Sequence, residues 1–459
     1  MLRSRLRSAI GLLLVTGVTL VAAACGTSSS NDNGGSAQPA ADGNVTITVN
    51  ALPPATDKAD REKFLADVAE FERANPNIDV VPREGKMDPQ TFQTRLAGGQ
   101  LEDVFYVYFT DPASLIAKRQ VAEITPYVGE FPTIAQIKPD LMKVFSSQDG
   151  KVYGVPWTNY SMGLLYNRDL VTKAGLDPNN PPKTWEEVRS AARAIAGLGD
   201  GMIGYGDYSK SNTGGWHFTA ELYSLGGELA VNEGGTWKAG FNNDKGKQVL
   251  QQLKDMRWSD NSMGSRQLLE WADLLQMMGS GKLGMYVATS DNIPTIVNQY
   301  KGDPTKYGLG PMPGAQAKLG GGDGFMFNAK ATPEKIRAGL KWITFKFANP
   351  DRIAADNKWQ ADNERPVGLP EPNIWTGEAE QKHVAATAEH ANLPQENYAP
   401  FVTGSPAIPL KLEPPVAQQL YAVLDVAMQK VLTDRNANID QLLTNAEKQI
   451  NSILGGVTS

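Results

Sequence analysis

Cysteine is almost absent from this chain: Cys25 is the single one among 459 residues, so no intramolecular disulfide can form. Histidine is nearly as scarce, with His217, His383 and His390 only, and this argues against a Cys/His metal site. No loop carries the alternating acidic spacing of a calcium-binding EF-hand, so no metal is expected. Basic residues are in deficit: 44 Lys and Arg stand against 50 Asp and Glu, a net charge of -6. Without the three arginines near the N-terminus the balance is about -9, and nothing recommends nucleic acid as a partner. Beyond residue 21 there is no second long apolar run, so the chain is not expected to span a membrane. A Gly-x-Ser-x-Gly elbow, a phosphate-binding glycine loop, an internal repeat and a coiled-coil heptad are all missing, and no cofactor is expected.

What is present begins with Arg3, Arg5 and Arg7 ahead of an apolar stretch, Ile10 to Val21, that ends in Ala22, Ala23 and Ala24. Residues 1–24 therefore read as a secretory signal. Val21 to Gly26 resembles the lipobox of bacterial lipoproteins, which implies that Cys25 is lipidated and holds the protein at the extracellular face of the cell membrane; ordinary secretory cleavage with an incidental cysteine is the alternative. Each buried CH₂ of such an anchor contributes about 0.8 kcal/mol. Residues 25–44, rich in Ser, Gly, Asn and Ala, lack the apolar side chains needed to offset ordering and read as a flexible tether. Folded structure is expected from Val45, and about 415 residues exceed what one core normally holds, so two lobes are expected.

Val45, Ile47 and Val49 alternate with polar residues at the period of a strand, and Asp60 to Ala74 carries Phe64, Leu65, Val68 and Phe71 on one helical stripe. Ile78 to Val81 is a second strand, so the order strand, helix, strand predicts a parallel pair. Pro89 to Ala97 reads as a helix, Val104 to Phe109 as a strand buried on both faces, and Asp111 as the cap of a helix opening at Pro112. Thr184 to Glu187 forms a capping box. Further helices are expected at Lys245 to Trp258, Leu268 to Met278, Glu334 to Ala348, Val416 to Leu432 and Ile439 to Leu454. The class is α/β, with doubly wound sheets.

Several short segments occur in a recognisable order: FERANP (Phe71 to Pro76), LEDVFYVY (Leu101 to Tyr108), VAEITP (Val121 to Pro126), GKVYGVP (Gly150 to Pro156) and GLLYNRDL (Gly163 to Leu170). TWEEV (Thr184 to Val188), GKLGM (Gly281 to Met285) and GGGDGFMF (Gly320 to Phe327) follow. With this order and spacing the chain resembles family 1 of the extracellular solute-binding proteins, the maltose-binding-protein-like receptors. The resemblance implies a type II periplasmic-binding-protein-like fold: two α/β lobes, a hinge and an interlobe ligand cleft. It implies discontinuous lobes, residues 45–155 with 322–365 and residues 156–321 with 366–459. It also implies a sugar or oligosaccharide ligand, ABC transporter permease subunits as partners, and a monomer.

A sugar offers flat CH faces and many hydroxyls, so its receptor needs aromatic platforms beside groups that form several hydrogen bonds. Trp185, Trp271 and Trp342 lie on apolar helical stripes and are assigned to the core, whereas Trp157, Trp216 and Trp375 sit in Gly-, Pro- or polar-rich segments where a ligand role and a structural role are both open. Trp216 is expected just ahead of a helix, Phe218 to Leu225, on a flexible approach made by Asn212 to Gly215. Asp111 follows a strand end, where the family places a hydrogen-bonding acid, although a helix cap would explain it as well. Trp157, Asn159 and Tyr160 follow the first expected crossing, Asp291 and Asn292 follow the strand Gly284 to Val287, and Gly322 and Asp323 mark the second crossing, where a turn is the alternative. Arg365, before Pro366, stands where the family has a basic residue near the last crossing. The competing function is a secreted, lipid-anchored glycosidase with two carboxylates about 5 to 9 Å apart, but no pair among fifty acids is singled out. An adhesin would need a large exposed apolar surface, which the sequence does not advertise.

Overall fold

The computed structural model describes residues 44–457, so the signal segment, Cys25 and nearly all of the tether lie outside the described residues. The strands in chain order are β1 (Val45–Leu52), β2 (Ile78–Glu84), β3 (Val104–Tyr108), β4 (Gly154–Ser161), β5 (Gly163–Asn167) and β6 (Ile203–Tyr205). They continue with the hairpin β7 (Ala230–Glu233) and β8 (Thr236–Ala239), then β9 (Leu283–Ala288), β10 (Tyr307–Gly310), β11 (Lys318–Phe327) and β12 (Leu410–Leu412).

The expected parallel pair forms, with Val45 of β1 opposite Ile78 of β2, and the helix between them buries Phe64, Val68 and Phe71. That helix runs Lys58–Ala74, two residues longer than expected, because the Asp57 side chain accepts the Asp60 N–H and opens it earlier. Conversely, the next helix starts only at Phe92, because Asp88 first ties the turn through the Gln90 N–H and the Thr91 hydroxyl. One sheet has the order β12-β11-β3-β1-β2 with β4 also on β11, and a second has the order β10-β5-β9-β6. Both are mixed: β11 runs antiparallel to β3 and β4, and β5 antiparallel to β9 and β10, while β6 and β9 are parallel. Met162 alone separates β4 of the first sheet from β5 of the second.

Each sheet has its own core. Ile47, Val49, Val104, Val107, Phe325 and Trp342 belong to the first, and Leu164, Val188, Phe218, Leu420, Leu424 and Ile450 to the principal core beside the second. The Thr184 to Glu187 capping box is present and positions Trp185 and Val188 toward that core. Two expectations about tryptophan need correction or resolution. Trp271 is 37% exposed, because the helix begins at Trp271 itself and Leu268 is held in a left-handed turn (φ 60) outside it. Trp375 is buried in the first core and bridges to Ile137.

Candidate functional site

The site grows from strand ends. The carboxyl end of β3 delivers Tyr108 and then Asp111; the ends of β6 and β9 deliver Tyr208 and Asp291, and β4 and β11, paired in the first sheet and adjoining in sequence β5 and β10 of the second, carry Trp157 to Tyr160 and Gly321 to Asp323. Open α/β sheets bind ligands at such ends, where loops converge above the core.

Trp157 is the extra residue of a bulge: Thr158 pairs with Asp323 and Pro156 with Gly324, leaving Trp157 unpaired between them. A bulge re-aims the side chain it carries, and here the half-buried indole lies against Phe325 (5.7 Å between centroids, 27° between planes) and edge-on to Tyr106 (6.1 Å, 83°). Asp323, buried, accepts the Thr158 hydroxyl at 2.9 Å, and burial raises its pKa against the counter-effect of Lys86. Asn159 keeps a buried Oδ1 without a hydrogen-bond partner. Tyr160 meets Trp216 edge to face (6.0 Å, 88°). At Gly321 a Cβ would overlap the Tyr160 hydroxyl and lie 2.7 Å from Glu413 Oε2, and at Gly322 it would overlap the Thr158 carbonyl and the Phe109 ring. The close approach of these groups is the reason for glycine here.

Asp111 is buried, and its carboxylate accepts the Thr110 hydroxyl at 2.6 Å instead of capping the helix Pro112–Ala117, which corrects the expected cap. Burial pushes its pKa up to about 6, with the Thr110 bond acting the other way. Asn292 is also buried; its Oδ1 accepts from Trp271 Nε1 at 3.1 Å and its Nδ2 donates to the Tyr286 hydroxyl at 3.2 Å. Asp291, its exposed neighbour, accepts the Thr289 hydroxyl. Arg365 stands apart from this group: its guanidinium donates to Asp57 and Asp60 (2.9 and 2.5 Å) at the start of the first helix and lies over Trp359.

Trp216 sits inside a helix, Thr213–Ser224, and not ahead of it. Gly214 and Gly215 are buried in its first turn, so the expected flexible approach is corrected: a Cβ on Gly215 would overlap the backbone of Tyr421. Asp425 holds that turn by accepting the Asn212 N–H at 2.8 Å and the Gly215 N–H at 2.9 Å. Burial still pushes the Asp425 carboxyl up to about 6, against those bonds. The Trp216 ring is half-buried, lies parallel to Tyr208 (6.5 Å, 10°) and packs both against the principal core and against a smaller cluster of the second sheet around Leu165, Leu274 and Tyr286, with its Nε1 buried and lacking a well-formed hydrogen bond.

Several residues beside these groups were not singled out by the sequence. Glu413 Oε1 accepts a hydrogen bond from the Tyr421 hydroxyl at 2.8 Å, and burial pushes its pKa up to about 8. Glu371 touches water yet is surrounded by protein, as a group in a cleft is, and burial followed by the Asp291 charge raises it to about 7. Lys86 lies 5.4 Å over the Tyr106 ring and 5.7 Å over Trp157. Across the cleft, Gln90 Nε2 donates to Asn212 Oδ1 at 3.1 Å. The alternation of Tyr106 and Tyr108 at a strand end was a usable signal; Glu371 and Glu413, each beside proline, offered none. Among the described residues no group of three His, Cys, Asp or Glu is placed to hold a metal ion, and no helix is long and apolar enough to cross a membrane.

Two α/β sheets with an aromatic and carboxylate cleft where their strands end define a binding protein of the periplasmic type. The chain belongs to the bacterial extracellular solute-binding protein family, whose sequence profile matches residues 55–349. It is 25% identical over 355 residues, 73% of this chain and 79% of the other, to a Brucella abortus (strain 2308) protein named as a binding protein. The fold is similar to an ABC transporter solute-binding protein from Thermotoga lettingae bound with α-D-tagatose (TM-score 0.71, 23% identity, 89% of this chain and 100% of that chain). It is also similar to UgpB from Mycobacterium tuberculosis in complex with glycerophosphocholine (TM-score 0.68, 16% identity, 90% and 98% covered).

Proposed function

We propose that this protein captures a sugar or oligosaccharide in the cleft and presents it to the permease subunits of an ABC importer. The observation that carries the reading is the pairing of partly open aromatic rings with hydrogen-bonding acids from both sheets: Trp157 and Asp323 on one side, Trp216 and Asp291 on the other, with the buried Tyr106 and Tyr208 packed behind the two indoles. Flat rings take the CH faces of a pyranose, and carboxylates accept its hydroxyls. Five acids against one lysine disfavour a phosphate-bearing ligand, which distinguishes this cleft from what the glycerophosphocholine complex would require. Asp111, Asn159, Tyr160, Asn292 and Gly322 belong to the proposed site as contacts or as positioning groups, and Arg365 as a brace for the segment that follows it. The lobe division 45–155 with 322–365 against 156–321 with 366–459 is part of the same reading, as are a monomeric state and closure by hinge motion.

The test is a thermal-shift screen over a carbohydrate panel, because a ligand that binds only the folded state raises its stability by mass action. A sugar that raises Tm and is returned chemically unchanged supports a receptor; no shift with any saccharide, or hydrolysis of the ligand, refutes it. Anchoring through Cys25 is proposed with it, and Cys25→Ser is expected to release the protein into the medium. A mutant that stays in the membrane fraction would remove the lipid anchor from the account.

A further inference from the structure

The cleft has an imbalance of charge that a neutral sugar leaves unanswered. Asp111, Asp291, Asp323, Glu371 and Glu413 act on one another: Glu413 feels Asp323 and Asp111, Glu371 feels Asp291, and Asp323 feels Asp291. Lys86 is the cation that acts on Asp323 and Glu371, while burial and the Thr110 hydroxyl alone act on Asp111, and the charges acting most strongly on Glu413 are those of Asp323 and Asp111. Gathered carboxylates repel and resist ionisation unless positive charge arrives. These acids are not set closely enough to hold a metal ion, so the positive charge they suit belongs to something larger.

Two further observations point to an ammonium. The exposed Lys86 ammonium already lies over the faces of Tyr106 and Trp157, which is the geometry by which aromatic rings attract a cation. The hydroxyls of Tyr106 and Tyr208, both wholly buried, lie beside Asp323 and Asn292 without a well-formed hydrogen bond to either, and both lie within the field of Asp291. Aromatic faces, acids around them and unfilled polar atoms together describe a site for a ring that carries positive charge.

We infer that the cleft takes a saccharide bearing a protonated amine, and that the Lys86 ammonium occupies the ligand ammonium's place until the ligand displaces it. The inference rests on the sugar-receptor reading and narrows it. Trp157, Tyr160 and Trp216 cover the ring faces, while Asp291, Asp323 and Glu371 accept the N–H donors. Burial keeps Glu371 near 7 and Glu413 near 8, so at neutral pH the empty cleft retains protons that an arriving ammonium drives off to solvent.

The experiment is calorimetric titration with saccharide pairs that differ only in an ammonium or a hydroxyl at C2: glucosamine and glucose, galactosamine and galactose, fully deacetylated chito-oligosaccharides and cello-oligosaccharides of equal length. Titrations at pH 6.5, where the amino sugars are already protonated, in phosphate and in imidazole read proton release as a difference in heat. The amine member of at least one pair is expected to bind at least tenfold more tightly and to release protons. Lys86→Ala is expected to strengthen the amine member several-fold and not the neutral one. A neutral member that binds as tightly as its amine partner, or an amine member weakened by Lys86→Ala, overturns the inference and leaves the sugar receptor standing. Binding by no saccharide of either kind overturns both.

Discussion

Replacing Trp216 with alanine separates the two surfaces of one side chain. A tryptophan offers about 150–250 Å² of contact area, and here the larger part faces Tyr208 and the surrounding core while the smaller part is open. At about 25 cal/mol per Å², covering some 60–80 Å² of an indole face with a sugar contributes about 1.5–2 kcal/mol, so Trp216→Ala is expected to raise Kd about 10–30-fold. The larger, protein-facing part is worth about 3 kcal/mol of stability, near the lower end of what tryptophan truncation costs in a core. Titration calorimetry with a saccharide that binds the wild type reads the first quantity, and urea unfolding of the same variant reads the second. Unchanged affinity beside a large stability loss would show that the ring is packing only. Trp216→Phe, which keeps a flat face against Tyr208, is expected to fall between the two, and a phenylalanine variant as weak as alanine would contradict the stacking argument.

Gly215→Ala is expected to destabilise the protein by about 1–3 kcal/mol, because its Cβ would overlap the Tyr421 backbone and force the helices Thr213–Ser224 and Ala417–Thr433 apart; an unchanged urea midpoint would refute that contact. Between pH 6.5 and 8, Tm of the ligand-free protein is expected to fall. Glu371 at about 7 and Glu413 at about 8 are raised above the ordinary 4.5, so the stability linked to their protonation is complete at low pH and is lost as pH rises through those values. Glu413→Gln should flatten that slope, and a Tm that rises across the window would contradict the burial of these acids. Saturating ligand is expected to reduce the radius of gyration measured by small-angle scattering, and Gln90→Ala, which removes the bond to Asn212, is expected to expand the ligand-free protein. A radius indifferent to both would argue for a rigid scaffold.

Local patterns were legible where they were sufficient. The period-2 alternation of Val45 to Val49, the stripe through Phe64 and Phe71, and the Thr184 to Glu187 box depend on residues within one element, and each element forms. What sequence could not show was set from far away. Gly214 and Gly215 look like a flexible approach until Tyr421 and Asp425, more than 200 residues later, are laid against them. Glu413 looks like a solvent-facing acid in a proline-rich segment until burial raises it, and Glu371, which does reach solvent, is raised by the protein around it and by the Asp291 charge from a distant part of the chain. Trp271 follows an apolar pattern, yet the helix starts on it, and its indole reaches Asn292 instead of the core. Arg365 fits a family position in order along the chain, while its charge is taken up by Asp57 and Asp60 at the opposite end of the sequence.

The Asp425 carboxylate that holds the first turn of the Trp216 helix also sets a timetable for making the protein. Gly215 is synthesised 210 residues before the acid that binds its N–H. At about 5–20 residues per second, that interval lasts about 10–40 s on the ribosome. Through all of it the helix lacks its clamp, and Phe218, Ala220 and Leu222 lack the neighbours Leu420, Tyr421 and Leu424 that later share their core. The aromatic wall of the cleft is therefore among the last parts to become native, and a chain cut short before residue 425 would carry nearly all of both sheets while having no finished place for a ligand.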